Sequence, residues 1–454
     1  MIENDLALFQ ELATTLLSEE RERGVAPYIP ASEIEQYVDV GLQDESMSDD
    51  QFKVSVEGLL KYTPKTCTNQ FFNQLFGGRH GKAIVGELLA SMLNNSMYTY
   101  KAGRPMIRVE QAILKELKKL IAYPDNAGGT IATGGSMTNF MAILMARDTL
   151  HPSIKDTGVS QGLVAYTSEE SHYSVTKNAS FAGIGKKNVR KIACDDHGRM
   201  MPEALRNAIQ ADIKAGLKPF FVNATAGTTV LGSFDPLREI AGVCKETGVW
   251  LHVDGAYGGS VAFSDKYSHL IDGSELADSF SINAHKMLGV PLTCSFILTR
   301  HKKAMYDSFN VTANYLFQTD ADEMNPGKIS LQCGRRNDAL KFWTLWKSIG
   351  SNGLRDMVEH QFHLADIARD YIRNHPDYTL YHEGPSVNVC FNYKGVPANT
   401  LCNNLYESSE LMVGYGSFRS QQFVRFTTTN AGNKESDILD FFKQLEQFAN
   451  SNFN

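Results

Sequence analysis

The chain has 454 residues, 43% hydrophobic content and a formal net charge of -7, which allows a large buried core and leaves no basic excess to hold a nucleic-acid backbone. No run approaches the ~18 consecutive apolar residues of a membrane span, and the opening Met1-Ile2-Glu3-Asn4-Asp5 lacks the basic and apolar regions of a secretory signal, so the expected location is cytoplasmic. Seven cysteines (Cys67, Cys194, Cys244, Cys294, Cys333, Cys390, Cys402) are odd in number and never form a C-x-x-C pair, so neither a disulfide framework nor a metal site is expected.

Residues 1 to about 60 carry apolar side chains at helical spacing (Leu6, Phe9, Leu12, Leu16) and are predicted to form an arm of amphipathic helices that needs a partner surface. From about 105 to 300, short apolar runs at 163–166, 189–192, 219–222, 249–253 and 280–282 alternate with helical patterns. This predicts βαβ units around a mostly parallel sheet, an α/β fold. Ligands of such sheets collect beyond the carboxyl ends of the strands, where Thr225, Asp254 and Lys286 stand. After about 345, a long helix at about 351–374 and short alternating strands at 386–393 and 422–427 predict a smaller α+β domain. The predicted division is thus an arm (1–60), a large domain (61–345) and a small domain (346–454).

Thr133-Gly134-Gly135-Ser136-Met137-Thr138-Asn139 precedes the apolar helical run 140–144, so its glycines can bring backbone N–H groups to an anion, the cofactor phosphate, at a helix N-terminus. A plain helix cap has the same pattern, and the neighbours decide between the two. Asp254 ends the apolar strand 250–253, where a carboxylate is costly unless a cation meets it; a pyridinium nitrogen is such a cation. Lys286 follows the strand-like Ser281-Ile282-Asn283 and precedes Met287-Leu288-Gly289-Val290-Pro291, surroundings that desolvate an amine and let it attack an aldehyde. A lone lysine would read as a solvated charge, and a lone Asp254 as a strand-end cap. Together they point to pyridoxal 5'-phosphate, bonded to Lys286 and paired through its ring nitrogen with Asp254. His172, in Glu169-Glu170-Ser171-His172-Tyr173, is predicted to open a helix after the 163–166 strand, either as a polar cap or as a group that stacks on the ring and moves a proton.

These residues carry a resemblance. The chain resembles the group II pyridoxal-phosphate-dependent amino-acid decarboxylases, in the glutamate and cysteine-sulfinate decarboxylase branch, over nearly all of its length from about residue 60. The matching segments are 71–75, Tyr98-Thr99-Tyr100, Gly134-Gly135-Ser136, 167–169 with Ser171-His172, 224–229, Phe234-Asp235-Pro236, His285-Lys286-Met287 with Gly289-Val290-Pro291, 315–318 and 331–335. The resemblance implies the aspartate-aminotransferase type of fold (fold type I) and an obligate homodimer with active sites at the subunit interface. It further implies Lys286 as the lysine bonded to the cofactor, Asp254 as the partner of its ring nitrogen, His172 as the stacking residue, and Thr225 and Ala256 as ring contacts. Gly135, Ser136 and His285 would hold the phosphate; Arg425 would clamp the distal acid group of the substrate, with Gln74 near it. Phe76 and Ser96 match the cysteine-sulfinate side of the branch. A bulky Phe76 would shorten the pocket and favour aspartate, cysteine sulfinate or cysteate over glutamate, unless it only packs.

The family's mobile loop carries a Tyr that returns a proton to the substrate carbon; here the corresponding stretch 319–330 is short and has none. Protonation would then fall to His172 or water, or the reaction would end differently. Asn283-Ala284-His285 stands where the family has Asn-Pro-His, and Lys101-Ala102-Gly103-Arg104 adds positive charge after Tyr100, read as a solvated face. The expected activity is α-decarboxylation of a small acidic L-amino acid to the amine and carbon dioxide. The alternatives are another carbanion reaction on the same cofactor (decarboxylative oxidative deamination, elimination or carbon–carbon bond formation) and an inactive cofactor-binding interaction protein. Lys286, Asp254, His172 and Arg425 together argue against the last.

Overall fold

The computed structural model describes residues 2–22, 24–159, 162–311, 317, 322–408 and 411–453. They form two compact units: Arg79–His363 with Gly384–Ser386, and Met1–Gly78 with Leu364–Glu383 and Val387–Asn454. The strands, in chain order, are β1 (Phe71–Phe72), β2 (Gly128–Ala132), β3 (Leu163–Ser168), β4 (Val189–Ile192), β5 (Lys218–Thr225) and β6 (Trp250–Gly255). They continue with β7 (Ser279–Asn283), β8 (Ser295–Thr299), β9 (Tyr378–Leu380), β10 (Asn388–Tyr393), β11 (Met412–Phe418) and β12 (Gln421–Thr427).

The first unit is built on a seven-stranded sheet of order β2-β8-β7-β6-β5-β3-β4. β4, β3, β5, β6 and β7 pair in parallel, and β8 runs antiparallel to both β7 and β2. Two reversals restore direction, so β2 points the same way as β7, and the carboxyl ends of β2, β3, β5, β6 and β7 share one edge. Every residue of β2, β3, β6, β7 and β8 is buried. Since side chains alternate between faces, both faces must be covered, which is why β3 and β6 read as largely apolar runs. Helix Gly135–Leu150 packs on β5 to β8, while Pro202–Lys214 packs on β4 and β5 and Leu237–Thr247 on β5 and β6. Pro202 starts its helix at a position where no N–H is needed, and Gly248, at φ 68°, ends the next in the left-handed conformation that suits a glycine. Met141 and Met145 of the first helix join Leu163, Phe221 and Ile297 of the sheet in one apolar cluster.

The second unit holds a five-stranded sheet of order β1-β11-β12-β10-β9, antiparallel except for β1 against β11. Its core joins Phe72, Phe391, Val424 and Phe426 with Leu401, Phe441 and Phe442 from helices Ala398–Ser408 and Glu435–Asn452. Phe72 stacks on Phe426 at 4.4 Å between ring centroids. Helices Ile2–Glu22 and Asp49–Tyr62 of this unit pack on each other and are joined by the ion pair Lys53–Glu11, while Lys65, just beyond the second helix, pairs with Glu19 of the first. Ser48 and Gln51 form a capping box at the start of the second helix. Leu6, Phe9, Phe52 and Val54 nonetheless stay exposed.

The span Asp338–Arg373 is two helices broken at Gly350 (φ 69°, ψ 177°), and the second, which ends at Arg373, is the long helix predicted at about 351–374. Among the described residues, no helix is long and apolar enough to cross a membrane.

Candidate active site

The chemistry gathers on the shared carboxyl edge of the seven-stranded sheet. Asp254, the penultimate residue of β6, lies in register with Thr225 of β5 and Ser281 of β7 and is buried. Its Oδ1 accepts from the Ala256 amide at 3.1 Å, and its Oδ2 accepts from Asn139 Nδ2 at 2.7 Å. Lys286 stands three residues beyond β7; its amide donates to the Asn283 carbonyl at 3.2 Å, and the buried Gln361 donates to the Met287 carbonyl at 2.6 Å, fixing the turn that aims the lysine. Burial lowers the proton affinity of Lys286, with Asp254 opposing, so the amine is closer to the neutral form that attacks an aldehyde. Its Nζ lies 5.8 Å from the centre of the Tyr257 ring.

His172 does not open a helix: the helix is Ser174–Phe181, and the imidazole sits in the turn before it. Ser174 N–H donates to His172 Nδ1 at 3.3 Å, which leaves Nε2 to carry the proton. Burial lowers the His172 pKa, with Asp254 pulling it up and Lys286 pushing it down, so the three side chains share one electrostatic neighbourhood. His285 is buried, accepts from the Cys294 amide at 2.8 Å through Nδ1, and is held by burial at a pKa of about 4. It is therefore a neutral imidazole whose remaining nitrogen is a donor, as an anion requires.

Helix Gly135–Leu150 starts at Gly135 itself, five residues before the apolar run, so the amides of Gly135 and Ser136 occupy its first turn and have no carbonyl of their own helix to bond. Gly134, at φ 99°, turns the chain into it. A Cβ on Gly135 would lie 2.9 Å from Ala256 Cβ and 3.1 Å from Asn283 Nδ2. The site thus has a cradle of N–H groups that a side chain would fill. Thr225 Oγ1 is buried and without a hydrogen-bond partner among the described residues. Amine, buried carboxylate, anion cradle and orphaned hydroxyl together fit an aldehyde phosphate with a basic ring nitrogen, the donor set of pyridoxal phosphate.

Lys286, Asp254, His172, Thr225, Ala256, Gly135, Ser136 and His285 all belong to the same compact unit. So does Ser96, whose Oγ accepts from the Tyr98 amide at 3.4 Å. Gln74, Phe76 and Arg425 belong to the other unit. There Arg425 Nη2 donates to the Asn73 carbonyl at 2.6 Å, and the Gln74 carbonyl accepts from Thr429 Oγ1 at 3.5 Å. Arg425 lines a cavity of about 300 Å³ with Asn73, Cys402, Tyr406 and Tyr415.

The pyridoxal-dependent decarboxylase conserved domain matches residues 30–394. The chain belongs to the pyridoxal-dependent decarboxylase family. It is 36% identical over 439 residues to cysteine sulfinic acid decarboxylase of Rattus norvegicus, spanning 91% of this chain and 89% of the relative. It is 35% identical over 439 residues to the acidic amino acid decarboxylase GADL1 of Xenopus tropicalis, spanning 91% and 86%. The crystal structure of mouse CSAD superposes with a TM-score of 0.93 at 33% identity, covering 98% of this chain and 99% of that one. Membership makes pyridoxal phosphate the cofactor, and the sheet with its single reversed strand β8 is the family's type I fold.

In this family member the segment 315–318 lies outside the described residues except for Phe317, and 319–321 lie outside them too. From 322 the Tyr-less stretch folds as two short turns pinned to the Tyr98–Tyr100 segment. Gly327 N–H donates to the Tyr98 carbonyl at 2.8 Å, and Tyr100 N–H donates to Asn325 Oδ1 at 3.0 Å. A Cβ on Gly327 would fall 2.3 Å from the Tyr98 ring, so only a glycine lets the turn lie this close. Lys101 and Arg104 are exposed, as the solvated-face reading expects.

The cradle yields a direct test. Gly135→Ala should weaken cofactor binding by roughly 1–3 kcal/mol, the usual cost of overpacking, since the new methyl meets Ala256 and Asn283. Equilibrium titration of the apoprotein with pyridoxal phosphate reads it, and an unchanged Kd would remove Gly135 from the cradle.

Proposed function

We propose that the chain catalyses α-decarboxylation of a small acidic L-amino acid, with aspartate, cysteine sulfinate and cysteate preferred to glutamate. The observation that carries this is the meeting of Lys286, Asp254 and His172 beside the Gly135 cradle in a member of this family. Bound there, pyridoxal phosphate supplies the electron sink into which the bond to the substrate's α-carboxylate breaks. The protein does the rest. Lys286 would hold the cofactor covalently through its amine. Asp254 would pair with the ring nitrogen, its carboxylate preorganised by the Ala256 and Asn139 donors. His172 would cover the ring, and the proton that the missing Tyr supplies elsewhere in the family would come by way of His172 or from water. Gly135, Ser136 and His285 would hold the phosphate, and Thr225 and Ala256 would contact the ring.

The acidic substrate is supported by the names of the relatives and by Arg425, a guanidinium fork beside a cavity. Phe76 would shorten the pocket, with Gln74 and Ser96 as further contacts. Arg425→Lys should raise KM for the preferred substrate by roughly 10- to 100-fold, the difference between a bidentate and a point-charge contact, with kcat less affected; unchanged KM would place the distal acid elsewhere. We also propose a cytoplasmic homodimer with active sites at the subunit interface. Helix Gly81–Leu93 leaves Val85, Leu89, Met92 and Leu93 exposed, an apolar surface that a second copy would cover, and none of the seven cysteines is bridged in a disulfide.

The experiment is incubation of the reconstituted protein with L-aspartate, cysteine sulfinate, cysteate and glutamate in turn, with products identified by mass spectrometry and carbon dioxide measured. Amine and carbon dioxide from the shorter acids support the reading. The Tyr-less turn at 322–330 favours one rival, and an aldehyde or a condensed product would establish it.

A further inference from the structure

Behind Asp254 lies a run of buried polar side chains. Asn139 Nδ2 donates to Asp254 Oδ2 at 2.7 Å, and Asn139 Oδ1 faces His252 Nε2 at 3.0 Å. His252 Nδ1 faces Ser279 Oγ at 2.9 Å, and Trp250 Nε1 donates to the same oxygen at 2.9 Å. Asn139, His252 and Ser279 are each at most 1% exposed. The two ends have no freedom: an indole N–H only donates and a carboxylate only accepts. Asn139 must therefore turn its amide N–H to Asp254, because its carbonyl would meet a carboxylate oxygen at 2.7 Å. That leaves the Asn139 oxygen as an acceptor, which demands hydrogen on His252 Nε2. His252 Nδ1 then accepts, so the Ser279 hydroxyl donates to it and offers its lone pair to Trp250.

We propose that Asn139 and His252 are positioning residues for Asp254, forming with Ser279 and Trp250 a hydrogen-bond chain of one sense in which every donor points toward the carboxylate. Each bond polarises the next, so the chain favours the charged carboxylate and fixes the plane in which it meets the ring nitrogen. Burial holds His252 near a pKa of about 4, so the imidazole is neutral and adds no charge to compete with the ring nitrogen. Ser174 Oγ, 3.0 Å from Asn139 Nδ2, takes the second amide hydrogen and holds the amide in this orientation.

The inference rests on the functional reading above for its consequence and on the protein alone for its geometry, and the test separates the two. In protein labelled with ¹⁵N-histidine, His252 should be a neutral Nε2–H tautomer, whether or not cofactor is present; a proton on Nδ1 overturns the chain. In holoenzyme made with ¹⁵N-labelled pyridoxal phosphate, the ring nitrogen should be protonated in the wild type and in His252→Gln, whose amide keeps a donor toward Asn139. It should lose protonation in His252→Phe and Asn139→Ala, with kcat down about tenfold to a hundredfold and KM within about twofold. Full ring protonation and normal kcat in both Asn139→Ala and His252→Phe would sink the proposal. A wild type that binds no cofactor would instead defeat the functional reading, while the tautomer still decides the chain.

Discussion

Lys286→Ala is expected to lose the visible absorption of the bound cofactor and to lower turnover by roughly 10³-fold or more, the scale seen when a covalent catalyst is removed. The residue occupies a turn held by Asn283 and Gln361, so an alanine there leaves the backbone in place. The loss is therefore chemical rather than structural. Circular dichroism and thermal unfolding should match the wild type, and borohydride should fix the cofactor to Lys286 in the wild type alone. A variant that kept its visible band, with the label found on another lysine after reduction, would place the covalent bond elsewhere.

The second large effect belongs to Asp254. Asp254→Asn should keep the visible band, because Lys286 remains, but lose about 3 kcal/mol of transition-state stabilisation, roughly 100- to 1000-fold in kcat. Two causes add. A neutral amide cannot hold the proton on the ring nitrogen, and Asn139, which gives one N–H to the carboxylate, would face an amide that satisfies it only through its oxygen. Steady-state kinetics on the preferred amino acid measures this, and near-normal turnover would mean that the ring nitrogen is protonated by some other group.

The two residues that dominate these predictions were legible in the sequence because their surroundings contradict their chemistry. Asp254 closes an unbroken apolar strand and Lys286 sits between another strand and a Met-Leu-Gly-Val-Pro turn, so each charge is conspicuous. Of the parallel strands, β3, β6 and β7 were readable for the same reason, being buried on both faces, whereas β4 exposes Lys191 and β5 exposes Lys218 at its start. β8 was not, since strand direction leaves no trace in a two-residue period; nor was β2, whose Gly128 and Gly129 hide it among turn signals. Asn139 escaped because its meaning lies in partners 115 and 113 residues away, while on its own helix it is an ordinary polar residue. His252 offered a weak signal, an imidazole in an apolar strand, which a satisfied core histidine gives equally well. The roles of Gln74, Phe76, Ser96 and Arg425 rest on resemblance and await the substrate panel.

The complete burial of β6 and β7 bears on how such an enzyme changes over generations. Trimming Val253 or Phe280 opens a cavity at roughly 1–5 kcal/mol, enough to unfold a marginal protein, so selection guards the strands that carry Asp254 and lead to Lys286. The short turns at 322–330 are constrained at particular points: Met324 is buried with Met97 and Ile107, Asn325 accepts from Tyr100, Gly327 lies against Tyr98 and Ile329 packs on the core of the sheet, while Glu323 is exposed and Lys328 half-buried. Variation that spares Met324, Asn325, Gly327 and Ile329 therefore leaves the electron-sink apparatus intact, and a laboratory library confined to Glu323 and Lys328 would probe that stretch at little cost in folding.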